Sequence, residues 1–232
     1  MLVKNIELKR YVNGHVDTIT DCLIREISPE LLLNDVKVGT MVCTELHMEE
    51  LAVGMLFGKG LINRDDEILS IEADRTCVHV HAKASKPADI AQSLPGSSSE
   101  FMLDYDRILS KYMTFSESFE LFNKTGGAHC AELLDSDMNT IFKTEDMGRH
   151  NAIDKIIGYA ILNDIYLGDK LLMVSSRIPI ELVRKCYRGG IVNMAAISAA
   201  TAEGAAFAKE HNMNVMGMFR GKRFNIYSQR EV

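Results

Sequence analysis

From residue 148 to residue 219 the chain alternates helix-like and strand-like runs with short connections, and few architectures accept that pattern. GRHNAIDKIIGYAILND (148–164) has helical periodicity, and KLLMVSS (170–176) is a short apolar strand. IPIELVRKCYRGG (178–190) reads as a helix, with Pro179 in its first turn and glycines after its end. IVNMAAIS (191–198) reads as a buried strand, TAEGAAFAKEHN (201–212) as a helix and NVMGMF (214–219) as a further strand. Connections this short imply right-handed crossovers and a largely parallel sheet.

The first half is richer in strands. YVNGHV (11–16) sets Asn13-Gly14 between two extended runs, and LLLNDVKVGTMVCT (31–44) repeats the device with Asn34-Asp35. Both pairs tolerate the positive φ of a tight hairpin. TELHMEELAVGMLFGKG (44–60) changes to a helical period, with Thr44 as the expected N-cap. CVHVHAK (77–83) alternates at period two, so His79 and His81 share a face. SKPADIAQSLPGSSSE (85–100) holds both mid-chain prolines and a serine run, and is the expected linker. The expected division is therefore a smaller β-rich domain over residues 1–100 and an α/β domain over 101–232.

The formal net charge of −6 and a pI near 5.7 argue against a nucleic-acid coat. They leave room for a local anion site. No apolar run is long enough to span a bilayer, and the charged residues of MLVKNIELKR do not suit a signal peptide. Five cysteines, scattered at 22, 43, 77, 130 and 186, form no disulfide framework, which places the protein in the reducing cytoplasm.

TGGAHCAEL (125–133) admits three readings. Cys130-Ala131-Glu132 has the Cys-x-Glu form of a zinc deaminase, but no downstream Pro-Cys-x-x-Cys completes a site, so no metal is expected. Cys130 beside His129 at a loop-to-helix turn is a candidate nucleophile, because a helix N-terminus and an imidazolium both favour thiolate, or else a small apolar residue packed in a helix's first turn, the reading that chemistry alone favours. Gly126 and Gly127 would let backbone N–H groups approach an anion at a helix start, or simply make a turn.

Cations recur at the expected carboxyl ends of strands, where open α/β sheets gather ligands. Arg149 and His150 stand near a helix N-terminus, with Asp154 as a possible partner for Arg149. Ser175, Ser176 and Arg177 follow one strand, and Thr201 follows the next. FRGKRF, from Phe219 through Arg220, Gly221, Lys222 and Arg223 to Phe224, follows a third. Converging on one sheet edge, these groups would suit a polyanionic small molecule.

TGGAHCAEL, EDMGRHNAIDKIIG (145–158), SSRIPIELVRKC (175–186) and GMFRGKRFNIY (217–227) together resemble, in order and spacing, the FdhD family of formate dehydrogenase accessory proteins. MVCTELHMEELAVGMLFGKGLI (41–62) also looks like the family's N-terminal half. The resemblance implies a cytoplasmic homodimer whose larger domain has the α/β/α cytidine-deaminase-like fold with a mixed, largely parallel sheet. It implies a sulfurtransferase that takes persulfide sulfur from a cysteine desulfurase. The sulfur passes to the molybdenum bis(molybdopterin guanine dinucleotide) cofactor before that cofactor enters formate dehydrogenase. By the same resemblance the GRH, SSR and FRGKRF positions contact the cofactor as a bound client, and no zinc is expected.

The family's loop Cys-Gly-x-Cys is replaced here by LPGSSSE (94–100). Serine cannot form a persulfide. Either another cysteine carries sulfur, with Cys130 the expected substitute, or the protein is a cofactor-binding chaperone that has lost sulfur transfer.

Overall fold

The structure, a computed structural model, describes residues 1–83 and 103–231. Its first strands, β1 (Val3–Val12) and β2 (His15–Ile24), form an antiparallel ribbon in which Val12 pairs with His15. Asn13 and Gly14 take φ of 48° and 90° at its turn, the positive pair that a two-residue type I′ hairpin needs. The ribbon pairs with no other strand among the described residues. Asn34 and Asp35, with φ of 49° and 67°, make a second such turn between β3 (Glu30–Leu33) and β4 (Val36–Thr40). With β5 (Glu67–Ala73) and β6 (Cys77–Lys83) these strands form a four-stranded sheet in the order β4-β3-β6-β5. Leu31, Val78, Val80 and Ala82 face inward, while His79 and His81 face outward by alternation.

Helix α1 (Met48–Gly58) packs on the inner face of this sheet. Thr44 is not its N-cap. His47 holds that position in a left-handed conformation without a side-chain bond. Thr44 is instead fully buried; its N–H donates to Asp146 Oδ2 at 3.1 Å and its Oγ1 accepts from Met147 N.

The remaining strands build a six-stranded mixed sheet in the order β12-β11-β10-β9-β7-β8. They are β7 (His129–Leu134), β8 (Thr140–Asp146), β9 (Leu171–Val174), β10 (Asn193–Ala196), β11 (Asn214–Arg220) and β12 (Arg223–Ser228). The central β9, β10 and β11 are parallel, joined by α5 (Ile180–Arg188) and α6 (Ala202–Glu210) as the alternation required. Strands β7, β8 and β12 pair antiparallel. Thr201 caps α6 by accepting from Gly204 N at 3.1 Å.

The sheet is covered on both faces. Ala131, Leu133, Leu172, Val174, Met194 and Val215 join one buried cluster with α4 (Arg149–Leu162), α1 and the inner face of the four-stranded sheet. Cys130, Leu134, Met173, Ala195, Met216 and Phe219 face a second cluster beneath α2 (Tyr105–Phe115). The first cluster therefore contains residues from both sides of position 100.

Helices α1 and α4 cross at glycines. A Cβ on Gly54 would lie 1.9 Å from the Asp154 carbonyl oxygen, and one on Gly158 would lie 1.8 Å from that of Glu50. Among the described residues, no helix is long and apolar enough to cross a membrane.

Candidate functional site

TGGAHCAEL ends a helix instead of starting one. Gly126, with φ of 63°, closes the short α3 (Glu120–Thr125) in the left-handed conformation that favours glycine. Its N–H donates to Phe122 O at 2.8 Å, and Gly127 N–H donates to Thr125 Oγ1 at 3.0 Å. Both amides are thus engaged, and Cys130 does not sit at a helix N-terminus.

Cys130 is instead the second residue of β7, 2% exposed. Burial foremost, then the nearby Glu145 carboxylate, push its thiol far above the ordinary range. Glu132, two residues on, is held by Lys111 Nζ at 2.7 Å and by the Thr140 hydroxyl.

The loops leaving β9, β10 and β11 are laced into one edge. Cys130 N donates to Ser175 Oγ at 2.9 Å, and Ser198 Oγ donates to Ser175 O at 3.1 Å. Met218 N donates to Ser198 O at 3.0 Å. Met218 adopts φ of 58° within a bulge of β11, a conformation a methionine rarely takes. Such strain persists where surrounding contacts enforce it, and it concentrates at functional sites. Nothing in the residue type signals it beforehand.

FRGKRF is a tight hairpin between β11 and β12, closed by the Arg220–Arg223 pair with Gly221 at φ of 56°. Phe219 is 1% exposed and its ring lies 4.6 Å from Phe224 and 4.9 Å from Tyr112. It is therefore core beneath α2, not an open platform for a base. Arg220 Nη1 donates to Ile197 O at 3.2 Å, which lays its guanidinium against the loop after β10. Lys222 and Arg223 are exposed at the tip.

The strongest electrostatic feature lies where β8 hands over to α4. Buried Asp146 fixes the bend, accepting from Gly148 N at 2.8 Å, Asn151 Nδ2 at 2.9 Å and Lys155 Nζ at 2.6 Å. Arg149 and His150 then open the helix. Asp154 does not pair with Arg149; it is 3% exposed and binds Lys185 Nζ at 2.6 Å. Arg149 enters no ion pair among the described residues. Among the described residues, Arg149 Nε and His150 Nε2 are both enclosed and without a hydrogen-bond partner.

His129, at the start of β7, feels the Arg149 charge. Burial first, then Arg149, holds the His129 imidazole below its ordinary value. Burial, then Lys185 and Arg149, does the same for His150, with Glu181 acting weakly in the opposite direction. The Arg149 charge at the start of α4 opposes the macrodipole, an arrangement that an anion relieves.

Two groups result. His129 and His150 both feel the Arg149 charge, and His150 also feels that of Lys185. Arg220, Lys222 and Arg223 share the β11–β12 hairpin. The hydrogen bonds through Ser175, Ser198 and Met218 link the strand ends between the groups. Ser176 is buried and donates to Arg177 O at 3.1 Å, while Arg177 is exposed. Lys185 and Met218 were not foreseen. The serine-rich stretch 94–100 lies outside the described residues.

A cavity of about 390 Å³ lies elsewhere, lined by His47, Phe119, Lys124, Lys143 and Glu145 among others. Glu145 there accepts from the backbone N–H groups of Leu121 and Phe122, which ties its charge to the start of α3. Arg149 Nε and His150 Nε2, at the strand ends, are buried without hydrogen-bond partners among the described residues, and the candidate site is placed there.

The FdhD/NarQ family model matches residues 24–96 and 88–232. The chain belongs to the FdhD/NarQ family. Among curated relatives, the sulfur carrier protein FdhD of Staphylococcus haemolyticus is 30% identical, over 96% of this chain and 93% of that protein. The sulfur carrier protein FdhD of Bacillus subtilis is 29% identical over 96% and 94%. Protein FdhD of Methanocaldococcus jannaschii is 28% identical over 98% and 97%. The fold matches a crystal structure of a candidate formate dehydrogenase accessory protein from Desulfotalea psychrophila, with a TM-score of 0.86 at 24% identity, covering 98% of this chain and 97% of that one. This FdhD/NarQ chain therefore aligns over nearly the full length of these relatives and shares the fold of that structure.

Proposed function

We propose that this FdhD/NarQ protein is a formate dehydrogenase accessory protein that binds a phosphate-bearing cofactor at the strand edge formed by His129, Arg149 and His150. The buried, partnerless Arg149 Nε and His150 Nε2 carry this reading. A buried polar atom left without a hydrogen bond costs about 1–3 kcal/mol, and a phosphate oxygen admitted by a shift of the Arg149 side chain would recover it at Nε. The molybdenum bis(molybdopterin guanine dinucleotide) cofactor is the client that the family resemblance implies. These residues suit its phosphates; the buried Phe219 does not suit stacking on its guanine. Formate dehydrogenase is the proposed recipient, and the homodimer and cytoplasmic setting belong to the same proposal.

Calorimetric titration with guanosine diphosphate tests the reading. Arg149→Ala is expected to weaken binding roughly ten- to a hundredfold, the weight of a charge-assisted hydrogen bond at about 1.5–3 kcal/mol. The depressed imidazoles of His129 and His150 add a pH dependence. A bound polyanion favours their charged forms, so binding takes up protons. Affinity should rise as pH falls from about 8 to about 6, and the measured heat should vary with the buffer's ionisation enthalpy. Unchanged affinity in Arg149→Ala would remove this edge from the site.

A second reading, sulfur carriage from a cysteine desulfurase, is favoured by the names of the relatives. Cys43, Cys130 and Cys186 are buried, whereas Cys22 and Cys77 are partly exposed. Burial keeps Cys130 protonated and inaccessible, which speaks against the role given to it above. In a persulfide exchange the attacking thiolate takes the donor's outer sulfur and the donor leaves as thiolate. Peptide mass spectrometry after incubation with a desulfurase and cysteine should therefore place any added sulfur on Cys22 or Cys77. Cys130→Ser should load as well as the wild type; loss of loading in that variant would restore Cys130 as the carrier.

A further inference from the structure

We propose that His79, His81 and Asp35 form a binding site for a divalent transition-metal ion of the zinc class, on the outer face of the four-stranded sheet. One ligand atom from each residue lies within 4.8 Å of the other two. Tetrahedral zinc with bonds of about 2.0–2.1 Å places its ligands about 3.3–3.4 Å apart, so small side-chain rotations close the triad. Two imidazoles and a carboxylate, with a further position open to water, are a ligand set that zinc accepts.

The backbone brings the three together by two independent devices. Alternation on β6 sends Val78 and Val80 into the core and both histidines outward, where their rings lie 4.1 Å apart. Asp35 arrives from the β3–β4 turn, 44 residues earlier in the chain. That turn is fastened to β6: Asn34 Nδ2 donates to Ala82 O at 3.0 Å, and Ala82 N donates to Asn34 Oδ1 at 2.9 Å. Asn34 N also donates to Val80 O at 3.0 Å.

The hydrogen bonding of His79 suits a ligand. His79 Nε2 accepts from Asp35 N at 3.0 Å, so that nitrogen presents a lone pair, as metal binding requires. A metal at Nε2 would replace this hydrogen bond, with Asp35 Oδ1 already 3.3 Å from the same nitrogen. The Asp35 side chain is 81% exposed. Glu72 stands opposite His79 in the β5–β6 ladder and adds a second carboxylate to the same face. The bound ion would rivet the turn to the strand. The site is separate from the cationic edge, so its failure leaves the proposed function untouched.

Titration of the full, untagged chain with zinc ion alone, by calorimetry near pH 7.5, tests the assignment. The wild type is expected to bind one ion per chain. The double variant with His79→Ala and His81→Ala is expected to lose that binding, and Asp35→Asn to weaken it at least about tenfold. A variant with His129→Ala and His150→Ala should retain it, which separates this triad from the other histidine pair. Zinc should also raise the melting temperature of the wild type and leave that of the folded His79/His81 double variant unchanged. Absence of wild-type binding, or stoichiometric binding that survives loss of both sheet histidines, would overturn the proposal.

Discussion

Gly158→Ala is expected to destabilise the protein by about 3 kcal/mol or more, although alanine is the better helix former by about 1 kcal/mol. The reason is the α1–α4 crossing. A Cβ at position 158 would meet Glu50 O at 1.8 Å, Glu50 C at 2.7 Å and Gly54 N at 2.9 Å. All three are backbone atoms, so no rotamer change relieves the clash and the helices must separate. Separation loosens the packing of Leu51, Val53, Ile153 and Ile157. Gly54→Ala should behave similarly, with Asp154 O at 1.9 Å. Gly58 supplies the control on the same helix: its nearest contact would be Asp154 Oδ1 at an ordinary 3.7 Å. Gly58→Ala should therefore be neutral or mildly stabilising. Urea midpoints decide the matter, and a Gly158→Ala midpoint at or above that of wild type would show that the crossing is not tight.

Lys155→Met should remove about 3–5 kcal/mol of stability. Lys155 and Asp146 are both fully buried, 2.6 Å apart. Burial depresses the Lys155 ammonium, and the Asp146 carboxylate opposes that effect. Taking away the cation strands a carboxylate that also receives Thr44 N, Gly148 N and Asn151 Nδ2. Those bonds set the bend from which Arg149 and His150 project, so guanosine diphosphate binding should fall with stability. Adding Asp146→Asn to Lys155→Met should recover part of the loss, because the stranded charge is then gone. Denaturation of the two single variants and the double variant measures this coupling. A Lys155→Met protein with the wild-type midpoint would mean that the pair is dispensable.

The sheet's central order was readable because local signals agreed with tertiary demands. Asn13-Gly14 and Asn34-Asp35 produced the hairpins expected of residues that tolerate positive φ. Apolar runs between short helices produced β9, β10 and β11 in parallel. TGGAHCAEL misled because glycine marks helix ends and helix starts alike, and a run as short as AHCAEL cannot declare its period. Thr44 looked like a cap by type, yet a partner some hundred residues away, Asp146, took its amide. FRGKRF concealed a hairpin, and the burial of Phe219 depends on Tyr112 of α2, far away in sequence. For the site, the cationic residues were visible as residue types. Their grouping was not, since spacing along separate strands carries no distance. Lys185 drew no notice in its helix, and the left-handed Met218 follows from the bulge alone.

The glycine crossing also has a bearing on synthesis. A ribosome releases α1 well before α4, since residues 48–58 precede residues 149–162. Until the later helix emerges, Leu51, Val53 and Leu56 lack part of their final cover. Gly54, the point of close approach in the crossing, stays uncovered over the same interval. Completion of the fold waits on the second half of the message, and chaperone demand should peak in that interval.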